Sequence, residues 1–162
     1  MTRSAKTKGA VLAGAVSLAV GLLMALEGNP GKPYVDIAGV LTDCYGNTKN
    51  VHRSWVRSEA ECKALLGGEA VRIGTFVQRD APEIPESTLA GVISWTYNVG
   101  DGAYRSSTLR RHLLAQDWVG ACYQMHRWVY ITDPGTGEKI QARGLKNRRD
   151  KEVQICLADL VD

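Results

Sequence analysis

From Gly9 to Leu26 the chain carries eighteen residues without a charge, and the residue that follows, Glu27, is an acid. As a helix the run spans roughly 27 Å, just enough to cross the core of a bilayer. Arg3, Lys6 and Lys8 are the only charges ahead of it, which places the N-terminus in the cytoplasm and the remainder outside. Its composition is weak for an anchor. Nine of the eighteen residues are Gly, Ala or Ser, and the eight Leu and Val residues contribute only about −2 to −5 kcal/mol to insertion. A cleaved signal peptide is the rival reading. The only Ala-x-Ala, Ala13-Gly-Ala15, comes too early to follow a full apolar region, and cutting near Ala25 would strip Glu27 of its helix. The expected organisation is therefore a basic cytoplasmic tail (residues 1–8), a marginal membrane segment (9–26) and a folded domain (27–162). Within the segment, Gly9, Ala13, Ser17, Gly21 and Ala25 recur every four residues beside a bulkier row of Leu12, Val16, Val20 and Met24. Such a stripe lets another helix approach closely, and it predicts dimerisation in the membrane or packing against the folded domain.

Beyond Glu27 a Gly/Pro-rich turn leads to a second acid, Asp36, and then to the hydroxyl of Thr42 on a β-branched run. A carboxylate at a helix C-terminus faces the negative end of the helix dipole, a poor place for an anion and a useful one for a proton donor. Asp36 lies past two prolines and reads as solvated and ionised. Two carboxyl groups in contrasting surroundings, with a hydroxyl able to hold a water, suit glycoside hydrolysis. A solvated Glu, a turn Asp and a strand Thr fit the same spacing, which leaves both readings open.

The formal charge of +3 comes wholly from the tail, since removing Arg3, Lys6 and Lys8 leaves equal numbers of basic and acidic residues. A nucleic-acid binder would spread its excess over a folded face, so none is expected. Lys139, Arg143, Lys146, Arg148, Arg149 and Lys151 form a local basic stretch, read either as a surface for an anionic polymer or as a solvated helix face. Cys44, Cys62, Cys122 and Cys156 make an even set with no CxxC pair, and His52, His112 and His126 supply no zinc spacing. Two disulfides in an oxidising compartment follow. Of three possible connectivities, a local Cys44–Cys62 pair leaves Cys122–Cys156 between the two late helices.

Residues 34–50 alternate loosely around Gly39 and Gly46-Asn47, as in a small antiparallel sheet. Ser58-Glu-Ala-Glu61 opens a helix with a capping box, Gly67-Gly68 and Gly74 mark weak or kinked points, and Pro82 ends it. A second helix over 86–98 carries an apolar stripe, and Gly100 and Gly102 break the chain after it. Helices over 108–116 and 117–130, a hairpin or loop over 131–143, and a last helix over about 145–160 complete the pattern.

Glu27, Asp36 and Thr42 at these intervals, with Tyr34, Gly39 and Gly46 around them, resemble the catalytic signature of the phage-type lysozymes. Ser94-Trp-Thr-Tyr-Asn-Val-Gly100, Ser107-Thr-Leu-Arg-Arg111 and Gly144-Leu-Lys-Asn-Arg-Arg149 match the same family in its order. The weak apolar segment running straight into the Glu resembles the signal-anchor-release endolysins. The resemblance implies an α+β, lysozyme-like fold, with a small antiparallel sheet lobe, a predominantly helical lobe and an N-terminal apolar helix. It implies Glu27 as general acid, with Asp36 and Thr42 holding the attacking water, and inversion as the outcome. Arg148 aligns with a family arginine near the acid, and Tyr34, Asn98 and Arg148 are the candidate substrate contacts. Trp95 and Trp128 fit the core better than a sugar platform. The substrate implied is peptidoglycan, with the inner membrane and secretion machinery as earlier partners, a monomer once released, and no cofactor or metal. A lytic transglycosylase and a non-enzymatic wall-binding module are the alternatives, and Asp36 with Thr42 argues against both.

Overall fold

The computed structural model describes residues 6–28, 31–36 and 38–161. Arg3 of the tail and Ile37 of the expected sheet lie outside them. Helix α1 (Lys8–Glu27) is capped by Thr7, whose side chain accepts from Ala10 N, and it ends at Gly28 with φ 63°. Between Lys8 and Glu27 it is apolar on every side, so hydropathy alone does not say which side packs. Ala15, Ala19 and Leu23 are fully buried, while Gly9, Ala13, Ser17, Gly21 and Ala25 face solvent. The small-residue stripe therefore does not pack against the domain. The buried face lies to one side of it, where α1 crosses α2 (Glu59–Asp80) and α3 (Glu86–Val99). The stripe turns small side chains to water, and Leu18 is exposed on the same helix.

The capping box on α2 is present, Ser58 and Glu61 each bonding the other's backbone. The glycines do not kink α2, which runs unbroken for 22 residues. Gly74 has a packing role: a Cβ there would lie 2.6 Å from Leu12 Cδ1 and 3.0 Å from Ile93 Cδ1. Helix α3 is the centre of the core, with ten consecutive buried residues from Ser87 to Thr96. A short helix missing from the sequence expectation, α4 (Asp101–Ser106), follows Gly100, whose φ of 94° makes the corner. Helices α5 (Thr108–Leu114) and α6 (Trp118–Gln124) come next. Helix α6 stops short of its expected end in a 3-10 turn at Met125–Arg127, and α7 (Arg143–Leu157) closes the chain.

Two small sheets stand apart from this bundle. Strands β1 (Tyr34–Val35) and β2 (Leu41–Thr42) pair antiparallel, Tyr34 opposite Thr42. Strands β3 (Tyr130–Thr132) and β4 (Lys139–Gln141) form an exposed hairpin before α7. Both expected disulfides are formed, Cys44–Cys62 tying the β2 turn to α2 and Cys122–Cys156 tying α6 to α7.

Candidate active site

Glu27 is the last residue of α1, so its position depends on where that helix docks. Its Oε1 accepts a hydrogen bond from Arg148 Nη1 at 2.5 Å. The two are 121 residues apart, and their contact fixes the end of α1 against α7. On the other side, a Cβ on Gly46 would lie 3.5 Å from Glu27 Oε2, and Gly46 itself has φ 81°, a left-handed value that glycine adopts without strain. The Gly46 turn is built from Asp43, which is fully buried: Asp43 and Asn47 exchange backbone bonds, Asn47 Nδ2 donates to Asp43 Oδ1 at 2.7 Å, and Arg57 Nε donates to Asp43 Oδ2 at 2.7 Å. Cys44 in this turn holds a left-handed φ of 47°, unusual for a side chain, under the constraint of its disulfide. Tyr97 OH donates to Tyr45 O at 2.5 Å, joining α3 to the same turn. Burial and the nearby charge of Glu27 push the Tyr97 hydroxyl well above its ordinary pKa, so it stays protonated.

Asp36 and Thr42 belong to the β1–β2 hairpin. Asp36 is half-buried: its Oδ1 accepts from Ala38 N and Val40 N, both at 2.9 Å, which fixes the carboxylate at the mouth of the turn. Thr42 is 3% exposed and its hydroxyl donates to Val40 O at 3.0 Å, leaving its oxygen to accept. Tyr34 is well exposed on β1. Asn98, at the end of α3, lines a cavity of about 570 Å³ together with Thr108, Trp128, Tyr130, Lys139 and Arg149. A second cavity of about 410 Å³ opens around Gly46, Trp55 and Tyr97. Glu27 lies against Gly46, which lines the smaller cavity, and is linked through Arg148 and Glu152 to Arg149, which lines the larger one.

Arg148, expected as a substrate contact, is buried between Glu27 and Glu152, with Nε donating to Glu152 Oε1 at 3.1 Å. Arg149 is fully buried and also bonds Glu152. The basic stretch is thus neither one polymer-binding face nor one solvated face, because its two central arginines point inward and Lys146 pairs with Asp150 at 2.8 Å. Trp95 is fully buried, as expected, while Trp128 is 36% exposed, stacks edge-on against Trp95 at 5.3 Å and lines the larger cavity. Sequence reasoning gave no role to Glu152, the buried partner of Arg148, to Ser94, which donates to Glu152, or to Asp43, which builds the turn that carries Gly46. A charged residue that helical spacing places on the apolar side of α7 was the available signal for Glu152.

The chain as a whole has clear relatives. The phage lysozyme family profile matches residues 24–152. A SAR-endolysin of Bacteriophage PS34 is 41% identical over 91% of this chain and 90% of its own length. A SAR-endolysin of Enterobacteria phage P21 is 39% identical over 91% of each. Among solved structures, the endolysin from Escherichia coli O157:H7 phage FAHEc1 superposes with a TM-score of 0.76 at 26% identity, covering 90% of this chain and 94% of that one. The apolar α1 that ends in Glu27, the lysozyme-like lobes and these identities agree, and the chain belongs to the phage lysozyme family, among its SAR-endolysins.

Proposed function

We propose that this phage lysozyme cleaves the N-acetylmuramic acid–N-acetylglucosamine β-1,4 bond of peptidoglycan with Glu27 as general acid. The enzyme is a muramidase by family, and the division of labour within its cleft is the reading that the geometry favours. Glu27 protonates the glycosidic oxygen, while Asp36, held by two backbone N–H groups, keeps the fixed orientation needed to align a water with Thr42. Asn98 and Tyr34 contact the glycan, and Arg148 holds Glu27 in place. The observation that carries this reading is the Glu27–Arg148 contact, which holds the acid at the end of α1 against α7, with Gly46 of the smaller cavity's lining beside it. Product analysis on purified peptidoglycan tests it: new reducing ends of inverted configuration are expected, whereas anhydro-muramic ends would mark a transglycosylase.

The same contact links catalysis to location. Helix α1 is long and apolar enough to cross a membrane, and its folded position supports a protein that is first tethered in the inner membrane and later released. In the tethered state residues 1–8 are cytoplasmic, the secretion machinery has delivered residues 27–162 to the periplasm, and Glu27 sits at the membrane surface away from Arg148. After release, Ala15, Ala19 and Leu23 fill the core, and the site is complete. Lys6 and Lys8, the topological cations, then lie against Glu86 at 2.6 Å and Glu83 at 4.0 Å. Collapse of the membrane potential removes about 2.3 kcal/mol per charge per 100 mV from the tethered state, comparable with the weak insertion energy of the segment.

A further inference from the structure

Glu152 on α7 is fully buried, and every oxygen of its carboxylate is engaged. Oε1 accepts from Ser94 Oγ at 2.8 Å and from Arg148 Nε at 3.1 Å, and Oε2 accepts from Arg149 Nη1. Each arginine then reaches outward. Arg148 Nη1 donates to Glu27. Arg149 donates through Nε to Trp128 O at 3.0 Å and through Nη2 to Asn98 Oδ1. One buried carboxylate therefore stands behind both the acid and the cleft amide.

The chemistry of the second arm fixes an orientation. A guanidinium has donors only, so Asn98 must turn its oxygen towards Arg149. The amide NH2 is left for the 570 Å³ cavity that Asn98 lines. A group presented in this way gives hydrogen bonds and does not receive them.

We propose that Glu152 is a positioning residue for both halves of the site, balancing charge around Glu27 through Arg148 and, through Arg149, presenting Asn98 as a donor to the carbonyl oxygen of a sugar acetamide. The proposal rests on the assignment of Glu27 as general acid. With Glu27 ionised, two carboxylates balance two arginines inside this cluster. Burial works against the Arg149 charge, and Glu152 is the main group that opposes it. If Glu152 were neutral, two cations would face Glu27 alone and favour its anion, which cannot donate a proton. Among the described residues, the other ionisable groups on the elements packed around the acid are Tyr97 on α3, Tyr34 on β1, the Asp43–Arg57 pair of the Gly46 turn and Glu69 on α2. Glu69 is already engaged by Arg72 and Lys49, and Asp43 by Arg57, so none replaces Glu152 beside the two arginines.

Glu152→Gln and the double variant Arg149→Gln/Glu152→Gln separate the two arms on soluble peptidoglycan fragments, with thermal melts as folding controls. In Glu152→Gln the basic limb of the kcat/KM profile moves about one pH unit towards acid, and KM rises roughly fivefold. The double variant loses one cation and one anion, so the limb returns to its wild-type position. Its KM stays raised, because a glutamine offers both donor and acceptor and no longer dictates how Asn98 turns. If Glu152→Gln does not fold, the double variant, with no unbalanced charge, carries the test. A folded Glu152→Gln with the wild-type basic limb, or a double variant with the wild-type KM, overturns the proposal. Failure of the general-acid assignment shows elsewhere, as turnover by Glu27→Gln.

Discussion

Leu12 of α1 occupies the space that a side chain on Gly74 of α2 would fill, since a Cβ there would sit 2.6 Å from Leu12 Cδ1. The glycine is what lets the apolar helix lie close against the domain. It also offers a way to block docking without touching the anchor itself.

Gly74→Leu should leave export and membrane retention unchanged, because residues 9–26 keep their sequence. Overpacking against Leu12 and Ile93, typically costing about 1–3 kcal/mol, should keep α1 from seating and separate Glu27 from Arg148. Turbidity assays on detergent-extracted protein should then show at least a tenfold loss. Full activity after extraction would mean that docking is not required.

Gly21→Leu is the converse. A Cβ at Gly21 meets nothing within 4 Å in the folded protein, so docking is unaffected, while the added leucine strengthens insertion by roughly 0.5 kcal/mol. Lysis should be delayed in cells, with normal activity once detergent frees the enzyme. A variant that is soluble in the periplasm and lyses on the normal schedule would instead favour a cleaved signal.

Glu27→Gln should lower turnover by about 10²–10⁴-fold, the usual worth of a positioned proton donor, while the far-UV spectrum stays native. Asp36→Asn keeps an oxygen for Ala38 N and Val40 N, so the turn survives and only the charge is lost. Most activity should go with it. Wild-type rates in either variant would remove that residue from the mechanism.

The disulfides close loops of 18 and 34 residues, worth about 3 and 4 kcal/mol in the chain-entropy model. Replacing Cys122 and Cys156 by alanine should lower the melting temperature of the whole protein, since both are fully buried in the main core. The Cys44/Cys62 double variant should reduce activity more than its melting temperature suggests, because it frees the turn that carries Gly46. Non-reducing peptide mapping of periplasmic protein checks the pairing directly.

Asp80 ties α2 to α5 by a bidentate bond from Arg110, at 2.8 and 3.2 Å, and accepts from Tyr104 OH at 2.8 Å. The Arg110 hydrogen bonds are the main cause of its lowered pKa. A carboxyl group with a depressed folded pKa stabilises above its unfolded pKa, near 4, and that stability is lost as pH falls through the folded value. Partial exposure limits it to about 1 kcal/mol. Asp80→Asn should therefore melt a few degrees lower at pH 7, and the difference should shrink as pH falls below the unfolded pKa near 4 and through the depressed folded value. A constant difference across that range would contradict the assignment.

Local rules made much of this molecule legible. The capping box of Ser58 and Glu61, the stop at Pro82 and the turn at Gly46-Asn47 are decided by residues close in sequence, and each stands where the chain alone puts it. The short helix after Gly100 and the early end of α6 were not legible, because a six- or seven-residue helix is held by its packing more than by its propensity.

The sequence by itself determined that an apolar helix runs straight into an acid, and that four cysteines and the family motifs follow in order. Only the tertiary structure decided which side of that helix is buried. Its hydropathy is nearly uniform around the axis, so the choice falls to shape, with Leu12 against Gly74 and the Gly/Ala/Ser stripe turned to water. Tertiary structure likewise turned Arg148 and Arg149 inward to Glu152. Sequence shows a run of positive charge, but where each guanidinium points is set by the carboxylates it meets, the buried Glu152 and the half-buried Glu27 121 residues away, since a charge taken out of water must meet its opposite.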